Sequence, residues 1–167
     1  EDLRFKELNK RLFETYVESE NWDKALKMWS SFDADSKVNG PLLELYLIAL
    51  DNSNNEVDAE EIATKLLKID VTNKKALEWK ASKYFWKAEK RYQKELENYE
   101  KNKTNAQYKK MLVGLDAVTR DFQKALKYYQ MLYKMDPLKE YAKSISNIYG
   151  RFQDKKKSDY YLDKESH

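Results

Sequence analysis

The chain has 167 residues, 37% of them charged, with three glycines, two prolines and no cysteine; such a composition excludes disulfides, allows few turns and suits long helices. Its 32 basic and 29 acidic side chains leave a net charge of +3, too small to argue for a polyanionic partner without a concentrated patch. The longest apolar run, Leu45 to Leu50, is far short of the roughly 20 residues that a membrane helix needs, so no transmembrane segment is expected.

The sequence opens on Glu1-Asp2-Leu3 with neither a methionine nor an apolar leader core, the pattern expected after leader removal or trimming. A soluble chain in an exported or periplasmic setting, or in the cytoplasm, fits equally well, because absence of cysteine suits either redox state. Phe5, Leu8, Leu12 and Tyr16 then form one helical stripe, predicting a first helix over 3–18 with that stripe inward. Asn21 is placed to cap a second helix from Trp22 to about Phe32.

After Asn39-Gly40, Pro41 suits the first turn of a third helix, and Asp58 is placed to cap a fourth that ends near Asp70. The middle of the chain differs. Leu77, Ala81, Tyr84, Ala88, Tyr92, Leu96 and Tyr99 keep one stripe running over about 73–102 without a stop signal. Beyond Thr104-Asn105, heptads of Tyr108, Leu115, Phe122 and Tyr129, each followed three residues later by Met111, Val118, Ala125 and Leu132, predict a second long helix packed antiparallel on the first. Gly114 sits inside it at a cost of about 1 kcal/mol. A last pair is predicted over 139–149 and 155–162, around a Gly150-to-Asp154 turn.

These spacings resemble tetratricopeptide repeats, helical pairs of about 34 residues. Trp22-Asp23-Lys24-Ala25-Leu26-Lys27-Met28-Trp29 resembles the start of that family's helix B, with Ala25 at its small position and Tyr16, nine residues earlier, at its aromatic one. Phe122-Gln123-Lys124-Ala125-Leu126-Lys127-Tyr128-Tyr129 repeats the pattern, Asp136-Pro137 matches the closing proline, Asp70-Val71-Thr72-Asn73 is a degenerate copy, and Tyr149 and Ser158 carry the last pair. Tyr84 and Ala125 stand 41 residues apart instead of nine, so the third repeat carries about 32 extra residues. The resemblance implies one all-α domain over 1–167, an α-solenoid of antiparallel helical hairpins with repeats at about 3–36, 40–71, 73–137 and 138–165 and one long projecting hairpin.

Carried over residue by residue, the family's groove positions are Lys10 and Glu14, Glu44 and Ile48, Glu78 and Ser82, Lys143 and Asn147. Lys143 and Asn147 match the start of the family's carboxylate clamp, but no later repeat follows, and Lys10 is paired with Glu14, which argues against chaperone-tail binding. Phe85 and Trp86 extend beyond the buried stripe and are expected to face a partner, whereas Trp22, Trp29, Tyr84, Tyr129 and Tyr149 fall at packing positions.

Chemistry is scarce. The single histidine is His167, and the chain has no cysteine nucleophile, glycine-rich phosphate loop, cofactor motif or paired metal-ligand spacing, so no enzyme activity is expected. Asp51, Ser53 and Asn55 alternate as calcium ligands do, but Glu56 stands where the loop's glycine belongs and Ile62 where its bidentate glutamate belongs. Glu60, Glu61, Glu95 and Glu97 read as solvated helix faces. So does the basic row Lys80, Lys83, Lys87, Lys90, Arg91 and Lys94, although such a row can track phosphates. The resulting expectation is a non-enzymatic module that holds a protein or peptide. Homo-oligomeric assembly through the long hairpin is the alternative, and an RNA-binding helical repeat is a remote third, nucleic acid not being the expected partner.

Overall fold

The computed structural model describes residues 3–165, and among them there is no strand. The helices are α1 (Leu3–Glu18), α2 (Trp22–Ser30), α3 (Gly40–Asn52), α4 (Glu56–Ile69), α5 (Lys74–Lys101), α6 (Asn105–Met135), α7 (Lys139–Arg151) and α8 (Lys155–Glu165), with a 3₁₀ turn at Ser36–Val38 before α3. The all-α reading therefore holds, with boundaries close to those the punctuating residues imply. His167 lies outside the described residues. The fold divides between Ala76 and Leu77 into two compact units.

Three hairpin reversals share one backbone design. In each, a residue at positive φ, namely Glu20 (56°), Asn54 (56°) or Gln153 (58°), stops the helix. The next amide then reaches back to close a Schellman motif: Asn21 to the Tyr16 carbonyl at 2.8 Å, Asn55 to Leu50 at 3.0 Å, and Asp154 to Tyr149 at 3.0 Å. The carbonyls of those same residues accept the first bonds of the following helices, from Ala25, Ala59 and Ser158. A small residue thus recurs nine positions after an aromatic or leucine at every reversal, on a shared scaffold of hydrogen bonds. Two helix ends repeat as well, since Asp70 and Asp136 close α4 and α6 in extended conformation, with amides on Leu66 and Leu132 at 2.8 Å.

Capping differs from the expectation at two places. Asn21 occupies the N-cap of α2 without a side-chain cap bond. In α4 the cap is Asn55, whose Oδ1 accepts from the Asp58 amide at 3.4 Å while its Nδ2 donates to the Asp58 carboxylate at 2.7 Å. Asp58 is one turn too far into the helix to be the cap itself.

In the first unit, α1 pairs with α2 and α3 with α4, and α3 packs on both α1 and α2. Phe13, Trp29, Phe32 and Tyr46 form its aromatic centre, with Trp29 stacked on Tyr46 at a centroid distance of 4.1 Å. The inward stripe expected for α1 is corrected here. Phe5, Leu8 and Leu12 are exposed and Tyr16 is half-buried, while Phe13 and Val17 enter the core. One residue of helix turns a side chain by about 100°, so the adjacent stripe is the one that meets α2 and α3.

In the second unit, Ala88 of α5, Val118, Phe122 and Ala125 of α6, and Ile148 of α7 form a buried cluster. Ring contacts of Phe85 with Phe122 and of Tyr99 with Tyr108 show α5 and α6 paired as a long hairpin from its middle to its end. Where Glu95 crosses α6 there is Gly114: a Cβ there would stand 2.3 Å from the Glu95 Cδ. Gly114 is therefore more than a tolerated propensity cost, and Glu95 is half-buried at this crossing, not wholly solvated. Between α7 and α8, Ser146 and Ser158 exchange hydrogen bonds, each hydroxyl donating to the other's carbonyl at 2.9 and 3.0 Å.

Candidate functional site

Of the groove positions in the first unit, Lys10 is half-buried and Glu14 exposed on α1, and Glu44 and Ile48 are half-buried on α3. The Glu44 carboxylate accepts from Asn73 Nδ2 at 2.6 Å, while Asn73 Oδ1 accepts from the Ala76 amide at 3.0 Å. Glu44 thereby holds the residue that caps α5.

In the second unit, the Tyr141 hydroxyl donates to Glu78 and ties α5 to α7. Burial first, then the neighbouring carboxylate, raise the Tyr141 pKa and keep the phenol protonated. Ser82, Lys143 and Asn147 are exposed on those two helices. Phe85 is engaged inside the fold, edge-on to Phe122 at 5.7 Å and to Tyr129 at 6.3 Å. Its neighbour Trp86, one residue further round the helix, is 58% exposed.

Trp86 stands at one end of a shallow depression of about 540 Å³ on the outer face of α5, with Glu89, Lys90, Gln93, Lys94 and Glu97 along it. Spacings of three and four residues put all six side chains on one face. Glu89 is fixed by a two-pronged ion pair with Arg151 at 2.8 and 3.0 Å, and the guanidinium in turn covers the Tyr92 ring at 4.5 Å. The wall of the depression is thus fixed on one side by Glu89 and lined on the other by the exposed Lys90, Lys94 and Glu97. An exposed indole on a helix, rimmed by charges of both signs, is the arrangement in which an aromatic anchor binds and a polar rim excludes water.

The basic row on α5 is less uniform than a wet face. Lys80 is 4% exposed, one turn from the buried Ala76 and Leu77. Lys83 lies over the Trp79 ring at 4.6 Å. Lys87 reaches 3.3 Å from Asp121, a carboxylate of α6 only 5% exposed. Lys90, Arg91 and Lys94 keep the solvent exposure expected of them. Nothing in one helix's periodicity signals Asp121, which lies on the flank of its own apolar stripe.

Overall neutrality also hides a polarity. Residues 1–76 hold 16 acidic and 11 basic side chains, whereas residues 77–167 hold 13 acidic and 21 basic ones. Among the described residues no group of three His, Cys, Asp or Glu is placed to hold a metal ion. The segment from Asp51 to Asn55 is the reversal between α3 and α4, with Ser53 Oγ bonded to the Ala49 carbonyl at 2.7 Å and Asn55 used as the cap. No described helix is long and apolar enough to cross a membrane.

No protein-family model matches the sequence, and neither does any curated protein. A crystal structure from Bacteroides ovatus is similar in fold, with a TM-score of 0.78 and 24% sequence identity over 88% of this chain and 73% of that one. That protein bears the provisional name of a protein binding protein.

Proposed function

We propose that this chain is a non-enzymatic binding module of the tetratricopeptide-repeat type, and that it holds a protein or peptide against the Trp86 face of α5. The observation that carries this reading is Trp86, a large apolar ring 58% exposed on a rigid helix and flanked by Lys90, Gln93 and Lys94. The repeated reversals with a small residue nine positions after Tyr16, Leu50 and Tyr149 support the family assignment. The provisional name of the Bacteroides ovatus neighbour agrees with a binding role. No cofactor is invoked. Trp86→Ala removes the anchor and, inside the fold, only its edge-on contact with Phe85 at 5.4 Å, so a partner captured by the wild-type chain is lost by this variant while the chain stays folded with a small drop in thermal midpoint. A partner retained by Trp86→Ala would move the contact elsewhere.

A second reading, self-assembly through the long hairpin, has its own observation: Tyr108, Leu112 and Val113 of α6 are exposed near the end of the hairpin. Light scattering at high micromolar concentration separates the two, because a particle of 20.0 kDa excludes assembly.

A further inference from the structure

We infer that the outer face of α6 is a second docking surface, one that takes a short acidic segment of a partner protein. Arg120, Lys124, Lys127 and Lys134 are all exposed. Their spacings of four, three and seven residues align them on one side of the helix, opposite the buried Val118, Phe122, Ala125 and Leu132. At 1.5 Å per residue the row is about 21 Å long. Among the described residues, Arg120, Lys127 and Lys134 make no ion pair, and Lys124 meets only the Tyr84 ring, at 4.9 Å. Of the two acids of α6, Asp121 is turned inward to Lys87, and Asp116, one turn before Arg120, can offset only that end of the row and leaves Lys124, Lys127 and Lys134 uncompensated.

A solvated face ordinarily mixes its signs, as α5 does with Glu89, Lys90, Lys94 and Glu97. Here Arg120 faces Lys124, and Lys124 faces Lys127, at spacings where like charges each cost a helix some tenths of a kcal/mol. Among the described residues no carboxylate is paired with Lys124, Lys127 or Lys134, and a partner carrying carboxylates would relieve that repulsion. The whole second unit has the same bias, with 21 basic against 13 acidic side chains.

The surroundings favour an acidic peptide over nucleic acid. Single strands are held by a basic groove with open aromatic platforms. The row sits instead on the solvent side of a helix, and the rings beside it are occupied: Tyr84 is stacked on Tyr128 and covered by both Lys87 and Lys124. Six or seven extended residues span about 21 Å, so carboxylates at alternate positions of such a segment would meet the row.

This inference rests on the reading of the chain as a binding module but uses a face other than that of Trp86, so the two are tested separately. The probe is a fluorescein-labelled decamer of glutamate, titrated with the full chain at about 50 mM salt, where exposed charges are weakly screened, and read by fluorescence anisotropy. Against it run an unlabelled-sequence control of serine and glycine and a single-stranded DNA decamer. Arg120→Glu/Lys124→Glu/Lys127→Glu is expected to weaken glutamate binding at least about tenfold. Lys139→Glu/Lys155→Glu/Lys156→Glu, with the same net charge, is expected to weaken it less than about threefold, and Trp86→Ala to leave it unchanged. Should the first triple variant lose helicity, Arg120→Gln/Lys124→Gln/Lys127→Gln gives the same comparison. Equal losses in the two triple variants would reduce the row to net charge and overturn the inference. So would tighter binding of the DNA than of the peptide, or no binding of the peptide by the wild-type chain.

Discussion

Gly114→Ala weighs two opposed effects whose sizes follow from the hairpin's geometry. A Cβ at position 114 would lie 2.3 Å from Glu95 Cδ, 2.5 Å from Oε1 and 2.7 Å from Cγ, all side-chain atoms of one flexible residue. Replacing glycine by alanine inside a helix gains about 1 kcal/mol. Pushing Glu95 out of its rotamer costs about 0.5–1.5 kcal/mol. The single substitution should therefore leave stability within about 0.5 kcal/mol of wild type, while the same change made with Glu95→Ala should recover the full gain of about 1 kcal/mol. Urea denaturation of the four proteins of this cycle, followed by circular dichroism, measures the coupling, which should exceed the 0.3–0.5 kcal/mol within which independent sites add. An equal gain from Gly114→Ala in both backgrounds would refute the close crossing of α5 and α6 at this point.

Other substitutions test the reversals, the polar ties and the shifted carboxylate of Asp33. Glu20→Gly and Gln153→Gly release side chains held at positive φ and should each stabilise by about 0.5–1 kcal/mol in thermal melts; a loss at either site would contradict the left-handed turn. Tyr141→Phe leaves the half-buried Glu78 without its donor and should cost about 1–2 kcal/mol in urea, and a change below about 0.3 kcal/mol would show the bond to be idle. The Asp33 pKa lies below the usual carboxylate range because the Lys6 ammonium bonds to it at 2.6 Å and the Ser36 amide at 2.8 Å. A lowered folded-state pKa stabilises above the unfolded value and is lost as pH falls below it. Wild type should thus be more stable than Asp33→Asn at pH 7, and the gap should shrink as pH drops below about 4; a gap independent of pH would rule the ion pair out as its source.

Helical periodicity and the punctuating Asn, Asp and Pro residues made the helices legible, including the two long ones, because apolar spacing is a property of each segment by itself. Which side of a helix turns inward is decided by its neighbours. In α1 the residues Phe5, Leu8 and Leu12 and the residues Phe13 and Val17 form adjacent stripes, and only contact with α2 and α3 selects the second. Phe85 and Trp86 show the same limit at one dipeptide, where about 100° of rotation separates a ring in the core from a ring in solvent. Lys80 and Asp121 were opaque for a related reason, since a charged side chain reveals its burial only through the elements packed around it. No glycine stands at the left-handed position of the three reversals, yet Glu20, Asn54 and Gln153 adopt the conformation that glycine favours. The cations of α6 were in plain view but vanished in a net charge taken over the whole chain.

The central claim, that Trp86 anchors a protein partner, is tested most directly by quantitative affinity capture from source cells with three baits: wild type, Trp86→Ala, and Val57→Ala as an exposed apolar control on α4. Phe85 and Glu78 are left intact, because changing them would disturb the core and the tie to Tyr141. The account predicts a partner enriched equally by wild type and Val57→Ala and lost by Trp86→Ala, with the purified complex dissociating likewise on that substitution. Equal capture by all three baits, or by none, would contradict it.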